Sequence, residues 1–156
     1  MRTNLSLFLF VLILASGCIN HDVEESIISC NCDNPTNQVD EANSMIIGEW
    51  NWISTAYPIR GSETIFETPQ NTNDQINYIF TTDSMTILKN GANVYKAKYS
   101  IRYLGGSSNS QTDILVIEYS YSNTSGGESM LYLDKKCMSL INSANDAGGN
   151  VLIERK

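Results

Sequence analysis

Between positions 93 and 104 the side chains alternate between two kinds. Tyr95, Ala97, Tyr99, Ile101 and Tyr103 fall on one side of an extended chain, and Lys96, Lys98, Ser100 and Arg102 fall on the other. That period belongs to a β-strand with one buried face, and a slip of one residue would drive the cations into the core, so the register is fixed. Such a strand needs partners, and the chain from Trp50 onward supplies them. Residues 50–57, 76–81, 85–89, 93–104, 113–122, 129–133, 137–142 and 150–156 read as strands, separated by short stretches rich in Gly, Asn, Asp and Ser. Asn90-Gly91 is a strong two-residue hairpin signal. In the first strand Trp50, Trp52, Ser54 and Ala56 are expected to share one face, opposite Asn51, Ile53, Thr55 and Tyr57, until Pro58 ends it. The prediction is an all-β domain, an eight-stranded antiparallel up-and-down β-barrel, because eight strands joined by short loops close without exposed edges. A two-sheet sandwich satisfies the same pattern.

Ahead of the strands the chain is of another character. Nine of the ten residues at 5–14 are apolar, and Ala15-Ser16-Gly17-Cys18 follows. Ten apolar residues are too few to span a bilayer as a helix but fit the core of a secretory signal. Small residues before a cysteine suit a lipoprotein signal peptidase, with Cys18 the acylation site, although Ala15 stands where such signals usually have Leu. Residues 1–17 are therefore expected to be a signal peptide, and lipid on Cys18 the link to a membrane.

Removing that segment leaves 139 residues, enough for one core. Residues 19–44 contain six acids and no Lys or Arg, with little hydrophobic periodicity, so 18–44 read as the lipidated cysteine and a flexible acidic tether, and 45–156 as the barrel. From Met45 onward 11 acids face 9 bases with no basic stripe, which argues against a nucleic-acid partner.

In an oxidising compartment Cys30, Cys32 and Cys137 are expected to give one disulfide, with Cys137 paired to Cys30 or Cys32. The alternative, a metal held by Cys30, Cys32 and His21, lacks the usual spacer between cysteines and a fourth ligand, so neither metal nor cofactor is expected.

Gly48-Glu49-Trp50 at the start of the first strand and Arg155 near the end of the last resemble the lipocalin pattern. The resemblance implies that Gly48, Trp50 and Arg155 shut one end of the barrel, with the guanidinium packed across the indole. The order of signal, polar tether, Ile46-Ile47-Gly48-Glu49-Trp50, eight strands and a terminal Val151-Leu152-Ile153-Glu154-Arg155-Lys156 is similar to the small lipocalin-like lipoproteins of Gram-negative bacteria.

For catalysis the sequence offers little. Its single histidine, His21, lies outside the barrel, and Glu49, Glu118 and Glu154 read as strand-surface or rim residues, so an enzyme is not expected. Trp52, Tyr78, Tyr95, Tyr99, Tyr103, Tyr119 and Tyr121 are the candidate wall of a cavity for a small hydrophobic or sugar-like ligand, against the plainer expectation that these rings fill the barrel. A different reading has the long loops 60–74 and 143–149 gripping an envelope protein or a secreted hydrolase. A third is a structural envelope protein with a filled barrel. Ile19 after the acylated cysteine favours the outer membrane, facing the periplasm or the surface.

Overall fold

The computed structural model describes Cys32 and residues 34–59, 61–105, 114–120, 127–142 and 149–156. The signal segment, Cys18, His21, Cys30, Tyr121 and most of the loop 143–149 lie outside the described residues. In chain order the elements are α1 (Val39–Ile46), β1 (Gly48–Tyr57), β2 (Ile65–Glu67), α2 (Pro69–Thr72), β3 (Ile76–Phe80), β4 (Ser84–Lys89), β5 (Ala92–Tyr103), β6 (Leu115–Ser120), β7 (Gly127–Leu133), β8 (Cys137–Asn142) and β9 (Asn150–Arg155).

Strands β1 and β3 to β9 follow one another round the sheet, each antiparallel to the next, and β9 returns to pair with β1. That last pairing closes an eight-stranded up-and-down barrel, the lipocalin-like architecture, and rules out the sandwich. At Asn90-Gly91 both residues have positive φ and Lys89 pairs with Ala92, so the hairpin is the two-residue kind that the dipeptide favours. On β5 the expected alternation holds, with Ala97 and Ile101 buried and Lys96, Lys98 and Ser100 exposed.

Three expectations are corrected. The first concerns the faces of β1. Its pairing with β9 shifts between Trp52 and Ser54, so that Trp52 opposes Ile153 while Thr55 opposes Val151. A bulge adds one residue and reverses the alternation beyond it. Thr55 and Tyr57, rather than Ser54 and Ala56, continue the inner face of Trp52. Secondly, the polar stretch 60–74 is not a bare loop. Residues 65–67 pair with Thr55, Ala56 and Tyr57, and Thr68 then caps α2 by a reciprocal exchange with Asn71, the two bonds measuring 2.8 and 3.3 Å.

Thirdly, the segment read as tether through Ser44 is helical from Val39. Helix α1 is polar apart from a narrow stripe, but the barrel's end gives that stripe somewhere to go: Ala42 and Ile46 are fully buried against the core, and the helix packs on β5 and β7. Just before it, the Thr36 amide donates to the Leu133 carbonyl oxygen at 2.8 Å, fastening the incoming chain to β7.

The core occupies the half of the barrel next to α1. Trp50, Phe80, Leu115, Ile117, Leu133, Met138 and Ile153 fill it and are almost wholly shielded from solvent.

Candidate functional site

The two ends of the barrel are built differently, and the difference begins at Gly48. Its φ of 139° is one that side chains rarely tolerate, and a Cβ there would lie 3.1 Å from Arg155 Nη1. Glycine thus lets the chain turn sharply out of α1 and leaves room for the guanidinium. Arg155 Cζ sits 4.5 Å from the centroid of the Trp50 ring. The same guanidinium donates to the Ile47 carbonyl oxygen at 3.3 Å and to that of Met45, which the end of α1 leaves open. Trp50 Nε1 donates to the Ile46 carbonyl oxygen at 2.8 Å, so one indole anchors helix and arginine together. This is the closed end.

At the other end lies a cavity of about 550 Å³. Trp52, Tyr78, Met85 and Leu140 line it toward the core, while Tyr57, Ile87, Tyr95, Tyr119, Asn142 and Val151 line it toward the mouth. It exists because several inward positions carry small side chains or none. Ser129 and Thr55 fill little, and Gly149 presses so closely on β1 that a Cβ would lie 2.2 Å from Thr55 Cγ2. Tyr95 reaches the cavity in regular alternation with Ala97 and Ile101, and beyond it a register shift leaves Val94 bulged outward.

Of the candidate wall residues, the structure brings Trp52, Tyr78, Tyr95 and Tyr119 together around this cavity. Tyr99 and Tyr103 are not among its lining. The ring of Tyr99 meets Phe80 edge-on at 5.4 Å and its hydroxyl donates to the Thr81 carbonyl oxygen at 2.6 Å, while Tyr103 packs against the core. Tyr57, Thr55 and Glu67 belong to the site but escaped the sequence reading. The bulge at Ile53 turned the first two inward, and the short β2 brought the third beside them.

The polar groups of the cavity are mostly engaged. Trp52 Nε1 donates to Thr55 Oγ1 at 2.9 Å, Tyr57 Oη donates to Glu67 Oε2 at 3.1 Å, and the hydroxyls of Tyr119 and Ser129 bond each other. Burial, followed by the influence of Tyr119 and then Tyr57, pushes the Tyr78 hydroxyl up to about 12 from its ordinary 10.0.

Elsewhere, chemistry-bearing side chains serve the wall. Glu118 and Glu128 stand directly opposite on β6 and β7, an arrangement that like charges disfavour, and Arg102 lies between them. Arg102 Nε is 2.8 Å from Glu118 Oε1, and this bond holds the Glu118 carboxyl below the usual range. Glu49 pairs with Lys156 at 2.8 Å, and Glu154 is exposed on β9. Cys32 Sγ lies 2.7 Å from Cys137 Sγ, so of the two candidate partners for Cys137 the described one is at hand. Among the described residues no three His, Cys, Asp or Glu side chains converge as a metal site. No family model matches the chain, and neither a curated protein nor a solved structure matches it at a significant level.

Proposed function

We propose that this chain is a small lipocalin-like lipoprotein of the Gram-negative envelope, anchored by lipid at Cys18, whose barrel mouth binds a small hydrophobic or sugar-like molecule. The observation that carries the reading is the cavity of about 550 Å³ beside a well-packed core. Its volume falls within the range of small-molecule sites, and its walls are aromatic and aliphatic with a few polar groups, as such sites require. The reading is of a binding protein and not an enzyme: the one described carboxylate in the lining, that of Glu67, accepts a bond from Tyr57, and those of Glu49, Glu118 and Glu128 are tied into ion pairs. Native mass spectrometry of the protein from its own host tests it. A small molecule is expected to stay bound or to be taken up from an envelope extract, and a consistently empty barrel overturns binding. Anchoring is tested separately by metabolic labelling with palmitate, which Cys18→Ser should abolish.

A second reading, docking of a protein such as a secreted hydrolase by the segment 60–74, is favoured by one observation. Ile65 and Phe66 of β2 are 54% and 47% exposed. Crosslinking in the envelope should then capture a partner that the pair Ile65→Asp and Phe66→Asp releases. Capture unaffected by the pair counts against this reading.

A further inference from the structure

Resting on the binding reading above, we infer that the cavity's ligand is an uncharged amphiphile whose hydroxyl, amide or carbonyl group bonds the Tyr78 hydroxyl, and that the cavity rejects anions such as fatty acids. Two independent observations point there. First, Tyr78 is only 9% exposed and lines the cavity, yet its hydroxyl has no hydrogen-bond partner among the described residues. Buried polar atoms are nearly always partnered, and one left over in the wall of a cavity is where a ligand's polar group belongs. The neighbouring hydroxyls of Tyr57 and Tyr119 bond Glu67 and Ser129 instead.

Second, among the described residues the lining carries no Lys, Arg or His, and its one charged residue there is Glu67, at the Tyr57 edge. A carboxylate brought into this cavity would lose water without meeting a cation and would face a like charge, whereas a neutral donor or acceptor loses less and regains a bond from Tyr78. A phenol also donates to a carbonyl and exchanges bonds with a hydroxyl equally well, so the site selects for neutrality before it selects among neutral polar groups.

The test uses the purified chain loaded with diphenylhexatriene, a hydrocarbon fluorophore with no polar group, displaced by decanol, decanamide or decanoate at mildly alkaline pH. Decanol and decanamide should displace it about tenfold more effectively than decanoate, because the acid is ionised and unpaired. Tyr78→Phe should weaken both neutral competitors by roughly fivefold relative to the hydrocarbon, the loss of one neutral hydrogen bond. Ile87→Lys, which places a cation in the lining, should reverse the order in favour of decanoate. If decanoate competes as well as decanol, or if Tyr78→Phe changes nothing because solvent alone serves that hydroxyl, the inference falls and the cavity remains a binding site. A chain that takes up no diphenylhexatriene overturns both.

Discussion

The half of the barrel beside α1 and the half at its mouth are made from the same eight strands, yet they solve opposite problems. Near α1 each inward position carries a large apolar side chain, and an indole, a guanidinium and a helix end lock together beneath them. Near the mouth small residues, Thr55, Ser129 and Gly149, interrupt the rings and aliphatic side chains, so the walls stand apart around open volume. Stability is thus concentrated at one end and accessibility at the other. A barrel this small can hold a guest only if half of it forgoes close packing and the other half is packed well enough to compensate.

Substitutions that treat the halves unequally test that division. Trp50→Ala should have the largest effect, since it removes a fully buried ring together with the seats of Arg155 and α1. A loss of about 3–5 kcal/mol is expected in urea unfolding. A loss as small as that of a mouth substitution would break the comparison. Next comes alkali. Because the folded pKa of Tyr78 lies above its unfolded value, the neutral phenol contributes stability in full below pH 10.0, and this is lost as pH rises toward about 12. The loss should be roughly 2–3 kcal/mol and absent in Tyr78→Phe, followed by absorbance of the phenolate and by urea midpoints across that interval. Arg155→Lys should cost about 1–2 kcal/mol, because an ammonium cannot stack on Trp50 while bonding two helix-end carbonyls. Smallest in stability is Val151→Phe, which fills the mouth. It should shift unfolding by less than about 1 kcal/mol while abolishing diphenylhexatriene uptake, the reverse of the pattern at Trp50.

The sequence displayed the barrel well and its cavity poorly, for a physical reason. Strand β5 was legible because Lys96, Lys98 and Arg102 contrast sharply with the tyrosines between them. The Asn90-Gly91 turn was legible because its backbone angles select those residues. A bulge has no comparable signature. The extra residue at Ile53 is an ordinary apolar side chain, but it reverses everything after it, and so Tyr57 and Thr55 moved from the expected outer face to the site. Helix α1 was hidden for a related reason. Its own apolar stripe is too thin to foretell folding, and only the core waiting at the barrel's end makes Ala42 and Ile46 sufficient. The volume of the cavity depends on Thr55 of β1, Ser129 of β7 and Gly149 just ahead of β9, whose smallness matters only once closure places them round one space.

The bond from Thr36 to Leu133 and the nearness of Cys32 to Cys137 fix where the leading chain meets the barrel: at its plugged base. Any pull on the chain ahead of Cys32 would therefore reach the barrel at the end packed against α1. The rim round Tyr57, Tyr95 and Asn142, at the opposite end, would bear none of it directly.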